Sequence, residues 1–356
     1  MQSLDNMEQQ LLGQVTLPSG IMMLVDFGLM DLWTHDRPPL IPEGILSEDA
    51  LRSANDGADF FIDGLHALEV GRRLGRQPHP LYIYDIPRHG VEDLKESFQR
   101  LLEEEGLEAE LIELFERVPP RTRVNQILEH REGMGEVFFH GVQAVVVSNL
   151  PKNRPLSIIA KRMEEEEFAE HWKEVSLVID ETAEIASSSL IGHVAVDRAR
   201  LMFCDMNAAG AWCHNDSIDG LADFVFWGRD ALRLSQKFNA PHLERNVYGW
   251  QDQKIQEIAE LGIQVQKHID KHRMVVATDF RPHSDHWRML EKIYHSELEA
   301  AVIEVNDSQV CGFMTSWGDG FFPVLAERDG KGRLVQIRIH LGNEATVRGM
   351  RLVNPR

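Results

Sequence analysis

Histidine and carboxylate side chains gather most densely at Asp279 to Trp287, which reads DFRPHSDHW. His283, Asp285 and His286 are the donors there that could meet a metal ion, since zinc is held by three or four converging nitrogen, sulfur or oxygen atoms. The H-x-D-H spacing is not a zinc signature, and adjacent residues on a strand or helix point apart. The expectation is therefore no bound metal and no cofactor. A second chemical candidate is Thr315 to Pro323, TSWGDGFFP. Gly318 and Gly320 tolerate backbone angles that other residues resist, and Asp319 between them suits a tight turn. Trp317, Gly318, Asp319 and Gly320 could line a cleft for a ligand or partner; the plainer reading is a demanding turn beside a buried tryptophan. Asp26 and Asp205 each end an apolar run. A carboxylate so placed can act as a general base or cap the following backbone. Its presence in both places favours capping. Asp223, Arg229 and Asp230 surround FVFWG and could bind an anion or form an ion pair. If catalysis occurs, Asp205, Asp319 and His283 are its candidates, provided they converge.

Other chemistries leave no trace. There is no GxxxxGK[ST] phosphate loop, no GxGxxG after a strand, no GxSxG elbow and no HExxH. Lys and Arg total 37 against 57 Asp and Glu, a net charge of −20, which argues against nucleic acid as a partner. Arg72 and Arg73, with only Arg76 and Arg88 nearby, are too sparse to reverse that. Three cysteines, Cys204, Cys213 and Cys311, are an odd number without CxxC spacing, as expected of free thiols in a reducing cytoplasm. Met1 to Gln14 carries Asp5 and Glu8 and no basic residue, unlike a secretory leader. No run approaches the roughly 18 apolar residues of a spanning helix, so no membrane is expected.

The elements that would position these residues recur along the chain. Residues 22–33, MMLVDFGLMDLW, parallel residues 201–212, LMFCDMNAAGAW: Asp26 precedes Trp33, and Asp205 precedes Trp212, by the same interval. Residues 58–68, ADFFIDGLHAL, share six of eleven positions with residues 222–232, ADFVFWGRDAL. At the first offset, residues 141–159 align with 320–338, matching Gly141 to Gly320, Lys152 to Lys331 and Arg154 to Arg333; each reads as a strand, a turn and a second strand. A longer loop from Thr34 to Gly57, with Pro38, Pro39 and Pro42, absorbs the change of offset. Apolar spacing predicts helices over Gly64–Leu74, Val91–Arg117, Arg229–Phe238 and Asp252–His272. The expected fold is α+β: two tandem related domains, each a mainly antiparallel sheet with inserted helices and a C-terminal hairpin. Residues 1–165 form the divergent, acidic first repeat. Residues 166–190 form a helical connector, after EEEE at 164–167, and residues 191–356 form the second repeat with SWGDGFFP.

SWGDGFFPV and the following ERDGKGRLVQIRI resemble the C-terminal pattern of the bacterial domain-of-unknown-function family 4241, and upstream VAVDRARLMFCD at 194–205 resembles that family's strand ending in an aspartate; the first half looks like a degenerate copy. Phe322 stands where that pattern usually has tyrosine, which removes a hydroxyl. The resemblance implies a fold unit and no particular reaction. Residues 1–179 hold −15 of the net charge. The leading expectation is a cytoplasmic, non-enzymatic protein-binding module, immunity-like or regulatory, whose partner has a basic surface. The alternative is a hydrolase-type enzyme with a carboxylate and histidine site in the second half. A homo-oligomer built on pseudo-symmetric packing is a third possibility.

Overall fold

The computed structural model describes residues 9–32, 57–75, 77–244, 246–343 and 346. Trp33 and residues 34–56 of the expected loop lie outside the described residues. The fold is α+β, with four sheets in which every strand pair is antiparallel. Contacts divide the chain into two compact units, Met1–Ala211 with His295–Arg356, and Trp212–Tyr294.

The larger unit is built on two six-stranded sheets. One runs β1 (Gln10–Val15), β8 (Leu156–Arg162), β9 (Trp172–Val178), β19 (Leu334–His340), β18 (Gly320–Arg328), β10 (Ser187–Val196). The other runs β16 (Ala300–Val305), β17 (Ser308–Met314), β11 (Arg200–Asp205), β2 (Met22–Val25), β7 (Val142–Val147), β6 (Met134–Phe139). Strict alternation in β19, with Val335, Ile337 and Ile339 buried, turns one face inward. β2 and β7 are buried at every position, as central strands covered on both faces must be. The common core contains Leu24, Trp172, Phe203, Phe313, Trp317 and Ile337. Exchanging β1, β8, β9 with β10, β18, β19, and β2, β7, β6 with β11, β17, β16, leaves both strand orders unchanged when they are read from the opposite end.

A third sheet, β4 (Tyr82–Pro87), β3 (Gly57–Asp63), β5 (Glu110–Glu113), carries helices α1 (Ala67–Leu74) and α2 (Val91–Glu105). Phe60, Val70, Leu94 and Phe98 fill the space between them. The long apolar pattern from Val91 stops being helical at Gly106, whose left-handed φ of 65° caps α2. Helix α3 (Pro120–His130) follows, and the short α4 (Met206–Ala211) follows β11. The smaller unit has the order β13 (His242–Glu244), β14 (Val247–Lys254), β12 (Leu221–Trp227), β15 (Ala277–Pro282), with α5 (Ala231–Phe238), α6 (Ile255–His272) and α7 (Asp285–Tyr294). Phe224, Phe226, Leu234 and Val265 form its core.

Three expectations need correction. The halves do not form separate sheets: one six-stranded sheet takes three strands from each half, and the other joins β1 and β8 of the first to β10, β18 and β19 of the second through β9 of the connector. The 166–190 connector is not helical. Glu166–Phe168 makes one 3-10 turn, after which apolar residues from Trp172 to Leu177 form β9, paired to β8 and β19. The alignment of 141–159 with 320–338 is out of register. β18 and β19 do form a hairpin, but β7 and β8 enter different sheets. The counterpart of the β6–β7 hairpin in strand order is β16–β17. Each turns on two left-handed residues, His140 and Gly141 in one and Asn306 and Asp307 in the other.

β2 and β11 pair at the middle of their sheet, Met202 opposite Val25 and Asp205 opposite Met22. The aspartates that end them are buried. Asp26 accepts the backbone N–H of Gly28 at 2.8 Å, Asp197 at 2.8 Å and Arg198 at 2.9 Å. Asp205 accepts the N–H of Asn207 at 2.7 Å and of Ser19 at 2.9 Å, and the Ser19 hydroxyl at 2.6 Å. Each aspartate thus closes its own turn and ties down the lead-in to the other half's strand, the capping role favoured from sequence. Burial pushes the Asp26 carboxyl up to about 6, against its three N–H donors and Arg200.

Replacing either aspartate by alanine strands three donors, and about 2–4 kcal/mol of stability should be lost in urea unfolding. Asp180→Ala, which frees only donors of the exposed Thr182 and the partly exposed Ala183, should cost under ~1 kcal/mol; equal losses would refute the assignment. The raised Asp26 carboxyl is protonated in the fold where the unfolded chain, near 3.8, has released its proton. Its contribution therefore falls as pH rises from about 4 to 6, and Asp26→Asn should flatten that part of the stability profile.

Candidate functional site: carboxylate pairs at two bulges

The central strands β3 and β12 share the sequence ADF, and both are bulged at that aspartate. The register with β4 shifts between Ala58 and Phe60, and the register with β14 between Ala222 and Phe224. Opposite each bulge a second aspartate adopts a left-handed backbone, Asp85 at φ 56° and Asp252 at φ 54°. Its N–H donates to the bulge carboxylate, Asp85 to Asp59 at 2.8 Å and Asp252 to Asp223 at 2.9 Å. Both bulge aspartates are buried. The two halves therefore build the same pair of carboxylates and then neutralise it differently.

In the first half the counter-charges are guanidinium groups. Arg123, itself 1% exposed, donates to Asp85 at 2.7 and 3.1 Å, to Asp59 at 3.3 Å, and to the carbonyls of Val118 and Phe138. Its guanidinium lies 4.3 Å from the centre of the Tyr84 ring. Arg117 donates to Asp59 at 3.1 Å and also pairs with Asp85. The Asp85 carboxyl sits below the usual range: burial pushes it up, but Arg123, His140 and Arg117 outweigh burial. Two anions and two guanidinium cations leave a satisfied, inert knot.

In the second half the partner is His283, just beyond β15. Its backbone is held by N–H donation to Leu221 at 3.1 Å and by acceptance from Ile218 at 3.0 Å. Its Nδ1 lies 2.9 Å from Asp219 Oδ2, and its Nε2 lies 3.1 Å from Asp223 Oδ1 and 3.8 Å from Asp252 Oδ1. Asp219 is itself fixed by the Leu221 N–H and the Ser217 hydroxyl. Burial disfavours the imidazolium, but the hydrogen bonds and charges of Asp219 and Asp223 prevail, and the His283 pKa is raised. Asp223, Asp252 and His283 bring three donor atoms within 4.8 Å of one another. That set fits a divalent cation on Nε2, with Asp219 orienting the ring through Nδ1.

The other sequence candidates have partners of their own. Asp285 accepts the Cys213 N–H at 3.0 Å and an Arg288 hydrogen bond at 3.2 Å, while His286 stacks on His214 with ring centres 4.1 Å apart. Of the suspected trio only His283 belongs to the cluster. Asp230 accepts the Val275 N–H at 2.7 Å and pairs with the exposed Arg229. Asp319 accepts the Ala199 N–H at 2.8 Å, just before β11. Asp205 lies at the far end of that six-residue strand, about 20 Å away at ~3.3 Å per residue. Trp317 is buried, donates to the Trp172 carbonyl at 2.7 Å and packs on Phe168 and His171. Gly318 has φ 79°, Thr315 donates to its carbonyl at 2.7 Å, and Gly320 begins β18. SWGDGFFP is thus a turn that anchors the core. Cys204 and Cys311 are buried, and burial raises both thiols.

Sequence reading missed Asp59, Asp219 and Asp252. The shared ADF was the available signal for Asp59; nothing local marks Asp252, whose place depends on the β12–β14 register. No protein-family model, curated protein or solved structure matches the chain.

Arg123→Ala should destabilise by about 3–5 kcal/mol, because it leaves two buried carboxylates short of their cation. A loss below ~1 kcal/mol in urea unfolding would contradict the neutralising role. For His283 the folded pKa lies above the unfolded value of 6.5. Its stabilisation is complete below about 6.5 and disappears as pH rises through the folded value. Thermal unfolding of wild type should lose stability across that window relative to His283→Gln; parallel profiles would exclude the ionic bridge.

Proposed function

We propose that this chain is a non-enzymatic protein-binding module, regulatory or immunity-like, whose partner presents a basic surface. The carrying observation is Phe115, a fully exposed aromatic ring just past the edge strand β5. In sequence it stands between exposed Glu113, which pairs with Arg88, and exposed Glu116, and it follows the run Glu103, Glu104, Glu105 and Glu108 at the end of α2 and the turn after it. A fully exposed aromatic side chain with charged neighbours in sequence is the kind of residue a partner surface buries. The many carboxylates favour a cationic partner, such as a protein that itself holds nucleic acid in a basic cleft. The use of Asp26, Asp205 and Asp319 as backbone acceptors fits a binding role. No described helix is long and apolar enough to cross a membrane; a cytoplasmic location is part of this proposal, in keeping with three cysteines that form no disulfide. A tandem duplication, supported by the interchangeable strand orders and the twin bulges, and kinship with family 4241 at residues 315–341 belong to the same reading.

A metal-assisted hydrolase is the second reading, favoured by the convergence of Asp223, Asp252 and His283.

Capture of a basic partner by the immobilised chain should weaken with salt and fall at least tenfold in Phe115→Ser, with circular dichroism unchanged. Glu113→Gln with Glu116→Gln should mainly reduce the salt dependence. Capture indifferent to both variants would reject this face. A dimer that Phe115→Ser dissolves would reassign it to a second copy of the chain. In parallel, manganese or zinc with a chromogenic phosphoester should give no turnover beyond that of Asp223→Asn. Metal-dependent turnover lost in that variant would put the hydrolase reading first.

A further inference from the structure

Within the larger unit, the C-terminal ends of α1 and α3 meet β6 around a cavity of about 670 Å³. That volume suits a small organic ligand. Its shape depends on Gly71: a Cβ there would stand 1.7 Å from the Pro80 carbonyl oxygen. Only glycine lets α1 lie this close to Pro80, which places Arg72 at the rim.

Arg72 and Arg131 both line this space, with His130 beside them. Arg131 is steadied by donation to the Pro78 carbonyl at 3.2 Å. Cations commonly offset the carbonyl end of a helix, and on α1 Arg73 is already engaged with Glu69 at 2.9 Å and Glu105 at 3.0 Å. Arg72 has no hydrogen bond or ion pair among the described residues. Glu136, the acidic group in the wall, accepts the His193 N–H at 2.6 Å and faces its Nδ1 at 3.3 Å. The His79 ring lies 4.6 Å from that of His130, and its Nδ1 accepts the Leu81 N–H. Burial lowers both imidazoles, His79 to about 4; the protonated form of His130 and then Arg131 add to it at His79, and Arg131 and Arg72 at His130. Both rings are therefore neutral near pH 7, and the guanidinium groups carry the positive charge. A cationic pocket runs against the grain of a chain with net charge −20. Phe138 and Pro80 supply apolar wall.

We propose that this cavity binds a small organic phosphate monoester, its dianion held between Arg72 and Arg131 and its organic group against Phe138 and Pro80. Paired guanidinium groups match phosphate oxygens in charge and geometry. This site is independent of the Phe115 face.

Phenyl phosphate is the probe, titrated into the full chain by calorimetry. Saturable binding is expected, weaker for inorganic phosphate and absent for benzyl alcohol. Arg72→Gln and Arg131→Gln should each weaken binding about tenfold or more, and together abolish it, while Lys331→Gln leaves it unchanged. Arg72 is exposed and has no partner among the described residues, so its variant should keep the parent melting temperature. The His130 and His79 ring resonances should move on binding in the parent only. Absence of saturable binding, equal binding of benzyl alcohol, or affinity indifferent to both arginine variants would overturn the proposal.

Discussion

The crossed bonds of Asp26 and Asp205 hold the larger unit together. β2 and β11 are the strands at which the halves meet in one sheet, and a pair joined only by ladder bonds could slip. Each aspartate fixes that register by binding the loop that leads into the other strand. Everything outward on this sheet, β7 and β6 on one side and β17 and β16 on the other, is aligned to that pair. The interaction needs full burial to be strong, and full burial makes each carboxylate unavailable for chemistry. The residues that looked most like a general base are for this reason the least free to act as one.

A second constraint comes from the bulged strands. Opening a ladder at Asp59 and at Asp223 brings a second aspartate to each bulge. Two adjacent carboxylates cost free energy unless a cation meets them. Arg123 and Arg117 meet that need in the first half and seal it. One histidine meets it in the second, where Asp252 remains largely in solvent. The same backbone solution thus yields a structural knot in one place and a group of titratable, ligand-competent atoms in the other.

Charge is also distributed against its average. Carboxylates are dense in sequence from the end of α2 to Glu116, whereas Arg72 and Arg131 line one cavity. Local geometry, not net charge, decides which partner each surface can take. In the binding reading, the acidic edge and the cationic cavity serve different ligands.

Composition and periodicity were enough to establish an α+β chain, the helices after ADFFIDG and ADFVFWG, and a capping role for Asp26 and Asp205. These depend on neighbours a few residues apart, where apolar spacing and turn chemistry are local. The ADF repeat marked both bulge aspartates without revealing that they were bulges. Tertiary structure alone decided that the halves interleave in shared sheets, that β7 and β8 part company, and that Trp172 to Val178 is a strand within a sheet. It also decided that His283 meets Asp223 and Asp252, not Asp285 and His286. Strand register brings together residues that sequence separates by 29 and 60 positions, while adjacent side chains diverge. Pairing across a sheet is a long-range outcome of burying both faces at once, and no short segment records it.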